Sequence, residues 1–206
     1  MVKKERGLGR GLDALFSLEN EGQIEITEID INMIVAREDQ PRKKFDQESL
    51  KELAKSLEEH GILQPVLVRE KEGRYELVAG ERRWRAAKMA GLQTIPVIIR
   101  QLDDSQAGEL SLIENLQRED LTAVEEAQAY RLMMERYQYT QEMLSQKIGK
   151  SRSHIANTLR ILNLPFSILE MLESGKISAG HARALLSLPG PKEQQAAAQE
   201  IANQGM

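Results

Sequence analysis

The chain contains no cysteine, which excludes a disulfide framework, a thiolate metal site and a cysteine nucleophile. That absence fits a reducing cytoplasm. No apolar run approaches the roughly 18 residues of a membrane span, and Met1-Val2-Lys3-Lys4-Glu5-Arg6 leads into glycines rather than the apolar core of a signal peptide. A soluble cytoplasmic protein with no membrane partner is expected. The histidines, His60, His154 and His181, lack metal-ligand spacing, so no transition metal is expected. No Gly-x-x-x-x-Gly-Lys-Ser/Thr occurs, and Gly7-Leu8-Gly9-Arg10-Gly11 follows no strand, so a P-loop and a dinucleotide loop are both missing. Any nucleotide must be bound by another design. There is no overall excess of positive charge either: 28 basic residues face 32 acidic ones, and a net charge of −4 argues against indiscriminate coating of nucleic acid.

What is present divides in two. A chain of 206 residues, 41% hydrophobic, suits two small cores at roughly 100 to 200 residues per domain. The first 22 residues mix glycine and charge around Leu12-Asp13-Ala14-Leu15-Phe16 and read as a mobile tail. Alternating Ile24, Ile26 and Ile29 predict a strand, and Gln40-Pro41-Arg42-Lys43 an extended segment. Asp46 is expected to cap a helix with Leu50, Leu53, Ala54 and Leu57 on one face, closed by Gly61. Residues 65–68 and 75–79 predict two strands joined by a turn at Glu72-Gly73. Gly80 opens a helix ending at Gly91, and residues 95–99 form a further strand. From Asp103 onward the pattern is helical, over residues 105–117 and 123–137 and then in shorter helices. The expected architecture is α+β: a tail over 1–22, a small mixed-sheet domain over 23–119, and an all-α domain over 120–206.

Within the helical part, residues 140–162 predict a helix-turn-helix. Thr140 caps a helix carrying Leu144 and Ile148 inward, Gly149 supplies the turn, and Ser151 caps a second helix with Ile155, Leu159 and Leu162 inward. The outward set is Lys150, Arg152, Ser153, His154, Asn157 and Arg160. In this geometry the start of the second helix enters the major groove, so Arg152, Ser153, His154 and Asn157 are candidate base contacts. Lys150 and Arg160 are assigned to phosphates. An ordinary helix pair with a solvated polar face is the competing reading. Basic charge is concentrated here, with Arg131, Arg136, Lys147, Lys150, Arg152, Arg160, Lys176 and Arg183 against Glu135, Glu142, Glu170 and Glu173. Gly180-His181-Ala182-Arg183 opens a later helix, either as a phosphate grip or as a plain surface helix start.

Gly80-Glu81-Arg82-Arg83-Trp84-Arg85 puts a glycine after a strand and three arginines in the following helical turn. Helix N-termini disfavour cations, so Arg82, Arg83 and Arg85 there point to a bound polyanion, cradled also by free backbone amides. Surface pairing with Glu81 or Glu76 is the alternative. Glu114-Asn115-Leu116-Gln117-Arg118 offers a carboxylate and an amide oxygen suited to magnesium completed by phosphate oxygens. A solvated ion pair between Glu114 and Arg118 has the same spacing.

Together these stretches resemble the chromosomal ParB partition proteins, a family that includes sporulation-linked orthologues and a nucleoid occlusion factor. The resemblance is carried by Gly7-Leu8-Gly9-Arg10-Gly11-Leu12, Gln40-Pro41-Arg42-Lys43, Gly61-Ile62-Leu63-Gln64-Pro65, residues 80–86, residues 114–121 and residues 150–157. It implies a ParB/sulfiredoxin-like N-terminal domain that binds CTP and magnesium, and a helix-turn-helix domain that reads a palindromic double-stranded parS site. By motif match Gly61, Ile62, Gln64 and Pro65 would line the cytosine pocket. Ala79, Gly80, Glu81, Arg82, Arg83 and Arg118 would surround the triphosphate, and Glu114 and Asn115 would hold magnesium. Glu81 and Gln40 match positions tied to slow CTP hydrolysis. Lys150, Ser151, Arg152, Ser153, His154, Asn157, Arg160, Gly180, His181 and Arg183 would make the DNA surface.

The resemblance further implies a nucleoid-associated dimer that loads at parS. It closes its N-terminal domains on CTP binding, slides as a clamp, and reopens on hydrolysis. It also implies stimulation of the ATPase ParA through Arg10, and a part in loading SMC condensin. The chain stops at Met206 without the separate dimerisation domain in which the family normally ends. It is therefore expected to be a shortened form, with clamping and DNA bridging weakened. An occlusion factor, a CTP-insensitive repressor and a kinase on the same scaffold are the other readings. Lack of cysteine rules out the sulfinic acid reductase chemistry known on that scaffold.

Overall fold

A computed structural model of the chain describes residues 25–37, 47–118 and 121–204. The tail with Arg10, the segment with Gln40, the cap position Asp46, and Ile24 lie outside the described residues. The chain separates into two compact units, 1–114 and 115–206.

The first unit is the expected small mixed sheet with helices. Its strands are β1 (Ile26–Asp30), β2 (Ile34–Val35), β3 (Val66–Lys71), β4 (Arg74–Ala79) and β5 (Thr94–Ile99), in the spatial order β1-β5-β3-β4-β2. β1 runs antiparallel to β5 and β3 antiparallel to β4, while β5–β3 and β4–β2 are parallel. The β3–β4 hairpin turns through Glu72 (φ 53°) and Gly73 (φ 74°). Two successive positive φ values give the connection a twist that matches its strands. The sequence pattern predicts neither β2 nor the 3-10 turn over Ile31–Met33 before it. Two paired residues are too short a stretch for an alternating pattern.

Helices α1 (Gln47–His60), α2 (Glu81–Met89) and α3 (Asp104–Leu116) clothe the sheet. Val66, Val68, Leu77, Ile95 and Val97 pack with Leu50, Ala54 and Leu57 of α1 and Trp84, Ala86 and Ala87 of α2. Leu67, Val78 and Ala79 pack with Ala107 and Leu110 of α3. β3 is thus covered on both faces, which explains why Val66-Leu67-Val68 reads as an unbroken apolar run. Arg69 comes next and is also buried, at 3% exposure. It donates to Glu76 (Nε–Oε2 2.6 Å), to the Leu102 carbonyl (3.1 Å) and to Asp104, tying the central hairpin to the start of α3.

The second unit is helical: α4 (Ala123–Tyr137), α5 (Gln141–Ile148), α6 (Arg152–Ile161), α7 (Phe166–Glu173), α8 (Ala179–Leu185) and α9 (Pro191–Gln204). α4 begins with a reciprocal capping box between Thr122 and Glu125. Val124, Ile161, Leu164, Ile168, Leu172, Ile177, Ala182, Leu185 and Ala198 form one core cluster of it. The inner face of α6 differs from expectation. Ile155, Thr158 and Ile161 are the buried positions, whereas Leu159 and Leu162 are half-buried. A hydroxyl at 158 hid the helical periodicity, and counting only aliphatic residues moved the inward stripe by one place.

Candidate nucleotide and DNA sites

Gly80 ends β4 and stands at the N-cap of α2 with φ 95° and ψ 28°, a conformation that L side chains rarely adopt. A Cβ there would lie 3.0 Å from Val66 Cγ1 and 3.4 Å from Arg83 Cζ. Backbone conformation and close packing both require glycine, so strand passes into helix without a bulky cap. Since the N-cap has no side chain, it lends no side-chain oxygen to the first amides of α2.

Arg83 reaches back from this turn. Its Nη1 donates to the carbonyls of Gln64 (2.6 Å) and Pro65 (2.7 Å). Burial lowers the pKa of the guanidinium, while the charge of Glu114 acts in the opposite direction. The structure therefore gathers Gly80, Arg83, Gln64, Pro65 and the electrostatic influence of Glu114 in one place. Arg82 donates to Ser49 Oγ of α1 (3.3 Å). Arg85 behaves otherwise. It pairs with Glu81 one turn earlier (Nη2–Oε1 2.5 Å), Glu81 being only 9% exposed, so the surface-pairing alternative holds for this arginine. The sequence gives the three arginines one role; two of them face elements around the Gly80 turn and the third holds Glu81.

Glu114 is exposed near the end of α3. Asn115 is half-buried, and its Oδ1 accepts from Arg118 Nη1 at 3.0 Å. A carboxylate and an amide are hard oxygen donors of the type magnesium takes. Among the described residues no three His, Cys, Asp or Glu side chains gather as a metal cluster. Gly61 has φ 67° and closes α1, with Ile62 packed against the sheet core and Leu63 85% exposed.

In the helical unit the cap–glycine–cap spacing produces the expected turn. Thr140 Oγ1 accepts from the Met143 amide (3.2 Å), Gly149 adopts φ 73°, and Ser151 Oγ accepts from the His154 amide (3.1 Å). Ser145 Oγ also donates to the Lys150 carbonyl (2.7 Å), pinning the turn. No acidic residue lies in the first turn of α6, leaving that positive helix end open to an anion. Lys150, Ser151, Arg152, Ser153 and Arg160 are exposed and Asn157 is half-buried. Arg152 meets Glu142 at 3.3 Å with both side chains more than 60% exposed, a contact weak enough to yield to another partner.

His154 is not simply outward. Its Nε2 lies 3.0 Å from Glu126 Oε1 of α4, the same oxygen that accepts from Tyr130 Oη at 2.6 Å. Burial and the bond to Glu126 push the Tyr130 phenol up, so it stays protonated. Sequence reasoning missed Glu126 and Tyr130. Their i, i+4 spacing on α4 was visible, but the link to His154 spans 28 positions. His181 is likewise occupied: its Nδ1 accepts from the Ser178 amide (3.3 Å) while its own amide donates to Ser178 Oγ (3.2 Å), a capping box for α8. Gly180 and Arg183 beside it are exposed.

Comparison with known proteins gives two family matches, the ParB N-terminal domain over residues 17–116 and the ParB HTH domain over residues 119–206. The chain is 50% identical over 206 residues to the chromosome-partitioning protein Spo0J of Thermus thermophilus, covering all of this chain and 75% of that one. It is 46% identical over 196 residues to the stage 0 sporulation protein J of Bacillus subtilis, covering 95% and 70%. Among solved structures it resembles the C-terminally truncated chromosome-partitioning protein ParB from Caulobacter crescentus complexed to the centromeric parS site. There the TM-score is 0.75 and the identity 46%, over 87% of this chain and 93% of that one. With both domains matched in order and half of all positions identical to a relative of which it spans three quarters, the chain belongs to the ParB family.

Proposed function

We propose that this chain is a chromosome-partition protein whose helical unit reads a palindromic parS-type duplex and whose sheet unit binds CTP. The observation that carries the reading is the open start of α6. Ser151 caps it, its first turn holds no acid, and Lys150, Arg152 and Ser153 are exposed there. The likeness to a ParB solved on parS supports it. Arg152 then reads a base edge, with Asn157 beside it, and Lys150 and Arg160 neutralise phosphates. Gly180 and Arg183 at the start of α8 add a backbone contact, with His181 holding that start in shape.

For the nucleotide, the reading rests on Arg83. One guanidinium bonded to the Gln64 and Pro65 carbonyls joins the loop that would meet the base to the helix start that would meet the phosphates. Gly61, Ile62, Gln64 and Pro65 border the base, while Ala79, Gly80, Arg82 and Arg83 hold the phosphates. Glu114 and Asn115, with Arg118 bonded to Asn115, would supply oxygen ligands for magnesium, which would neutralise phosphate charge. Glu81, held in place by Arg85, orients a water for slow hydrolysis together with Gln40. In this reading nucleotide binding joins the sheet units of two copies around the duplex, hydrolysis releases them, and Arg10 in the tail stimulates ParA. Association with the nucleoid, and with SMC loading, follows from that role.

The test is calorimetry with CTP, ATP, GTP and UTP in magnesium, alongside binding to a parS duplex and nucleotide hydrolysis with and without it. CTP alone should bind, and the duplex should raise hydrolysis. Equal affinity for the four nucleotides defeats the switch, and DNA binding insensitive to CTP leaves a repressor.

A further inference from the structure

His154 is the third residue of α6, in the turn that the proposed function places in the major groove, and the inference that follows rests on that placement. A neutral imidazole has one donor and one acceptor nitrogen. Which is which depends on the partner of each, and here one partner is unambiguous. Glu126 as a carboxylate can only accept, and its Oε1 already accepts from Tyr130 at 2.6 Å. At 3.0 Å from the same oxygen, His154 Nε2 must therefore be the nitrogen that carries the proton. Nδ1 is left as an acceptor, and it has no hydrogen-bond partner among the described residues. The His154 side chain is 39% exposed, while Glu126 is 23% exposed behind it.

We infer that Glu126 is a positioning residue for DNA recognition: it fixes the tautomer of His154 so that Nδ1 accepts from the exocyclic amino group of an adenine or cytosine in the major groove. Guanine presents only acceptors at its major-groove edge and thymine an acceptor and a methyl group, so neither can satisfy this nitrogen. Inverting one base pair moves the amino group to the other strand. The arrangement thus discriminates orientation at a single position. Tyr130 donates to the same carboxylate oxygen, and neither it nor Glu126 needs to touch DNA.

Two measurements on the full chain test this at pH 8. Nitrogen-15 spectra of labelled histidine should show His154 protonated at Nε2 in the unmodified protein and as a mixture of tautomers in Glu126→Gln, whose amide can donate as well as accept. Binding is then measured to a parS duplex and to duplexes in which single adenines are replaced by purine, or single cytosines by 2-pyrimidinone, deleting only the amino group. At one position per half-site the deletion should weaken the unmodified protein about ten-fold. It should leave Glu126→Gln and His154→Ala indifferent, with the double variant no different from His154→Ala. Protonation at Nδ1 in the unmodified protein overturns the proposal with no variant needed. So does a Glu126→Gln that weakens every duplex equally, or a position sensitive to 7-deazapurine and indifferent to amino deletion, since the ring would then be donating. If no amino deletion weakens the unmodified protein, the inference falls; if the protein binds the parS duplex no more tightly than a scrambled duplex, it is the parS reading that falls.

Discussion

Arg83 donates through one nitrogen to the backbone carbonyl of Gln64 at 2.6 Å, across 19 positions of sequence. A surface arginine would leave that nitrogen to water. Here the bond, shared with Pro65, gives the loop after α1 and the start of α2 a common anchor.

Replacing Arg83 by alanine removes this anchor and, in the proposed function, a phosphate contact as well. CTP affinity should fall at least 100-fold, since charge-assisted hydrogen bonds contribute about 1.5–3 kcal/mol each. Recognition of parS by the separate helical unit should change less than two-fold. Arg83→Lys should rescue little, because a single ammonium lacks the planar fork. Calorimetry and fluorescence anisotropy check the two halves.

Gly80→Ala places a Cβ in a positive-φ conformation and 3.0 Å from Val66 Cγ1. Strained backbone of this type costs about 1–3 kcal/mol. The first unit should melt earlier and bind nucleotide more weakly. Gly73→Ala, which meets nothing within 4 Å at a similarly positive φ, separates backbone strain from the added clash.

Asp104 gives a pH dependence. Its hydrogen bonds to Arg69 and Lys71, then their charges, hold its carboxyl well below the usual 3.8, at about 2. A depressed carboxylate stabilises the fold above its unfolded pKa and loses that contribution as pH falls through its folded value. The first unit should therefore lose stability between about pH 4 and pH 2. Asp104→Asn should flatten that part of the curve. Thermal melts across the acid range, followed for both proteins, test it.

Ser151 and Arg152 are adjacent but should fail differently. Ser151→Ala removes the oxygen that caps α6 and should cost about 0.5–2 kcal/mol of stability. Arg152→Ala breaks only a contact to Glu142 in which both side chains are exposed, so the melting temperature should barely move. Its parS affinity should nonetheless drop about ten-fold or more if Arg152 reads a base. Melts and duplex titrations on the same samples tell the two apart.

Much of the fold is legible in the sequence alone. Thr140, Gly149 and Ser151 predicted a helix-turn-helix because caps and a left-handed glycine are local chemistry, settled within four residues. Glu72-Gly73 predicted its hairpin, and Gly80 its strand-to-helix turn, for the same reason. The glycine and three arginines within residues 80–85 are countable in sequence, but their partners are not: Arg85 takes Glu81, Arg83 takes the Gln64 and Pro65 carbonyls, and Arg82 takes Ser49.

The sequence by itself thus determined where elements start and stop, which segments carry charge, and that a reader helix and an arginine-rich helix start exist. Only the tertiary structure decided what each side chain meets. Arg69 lies just past the predicted strand over 65–68 and is buried only because Glu76 and Asp104 are brought to it, and His154 reads as an outward base contact until Glu126 arrives from another helix. The physical reason is the range of the interactions. Caps, turns and helical periodicity depend on neighbours within one or two turns, whereas hydrogen bonds between side chains far apart in sequence depend on how the core packs, and that packing is a property of the whole domain.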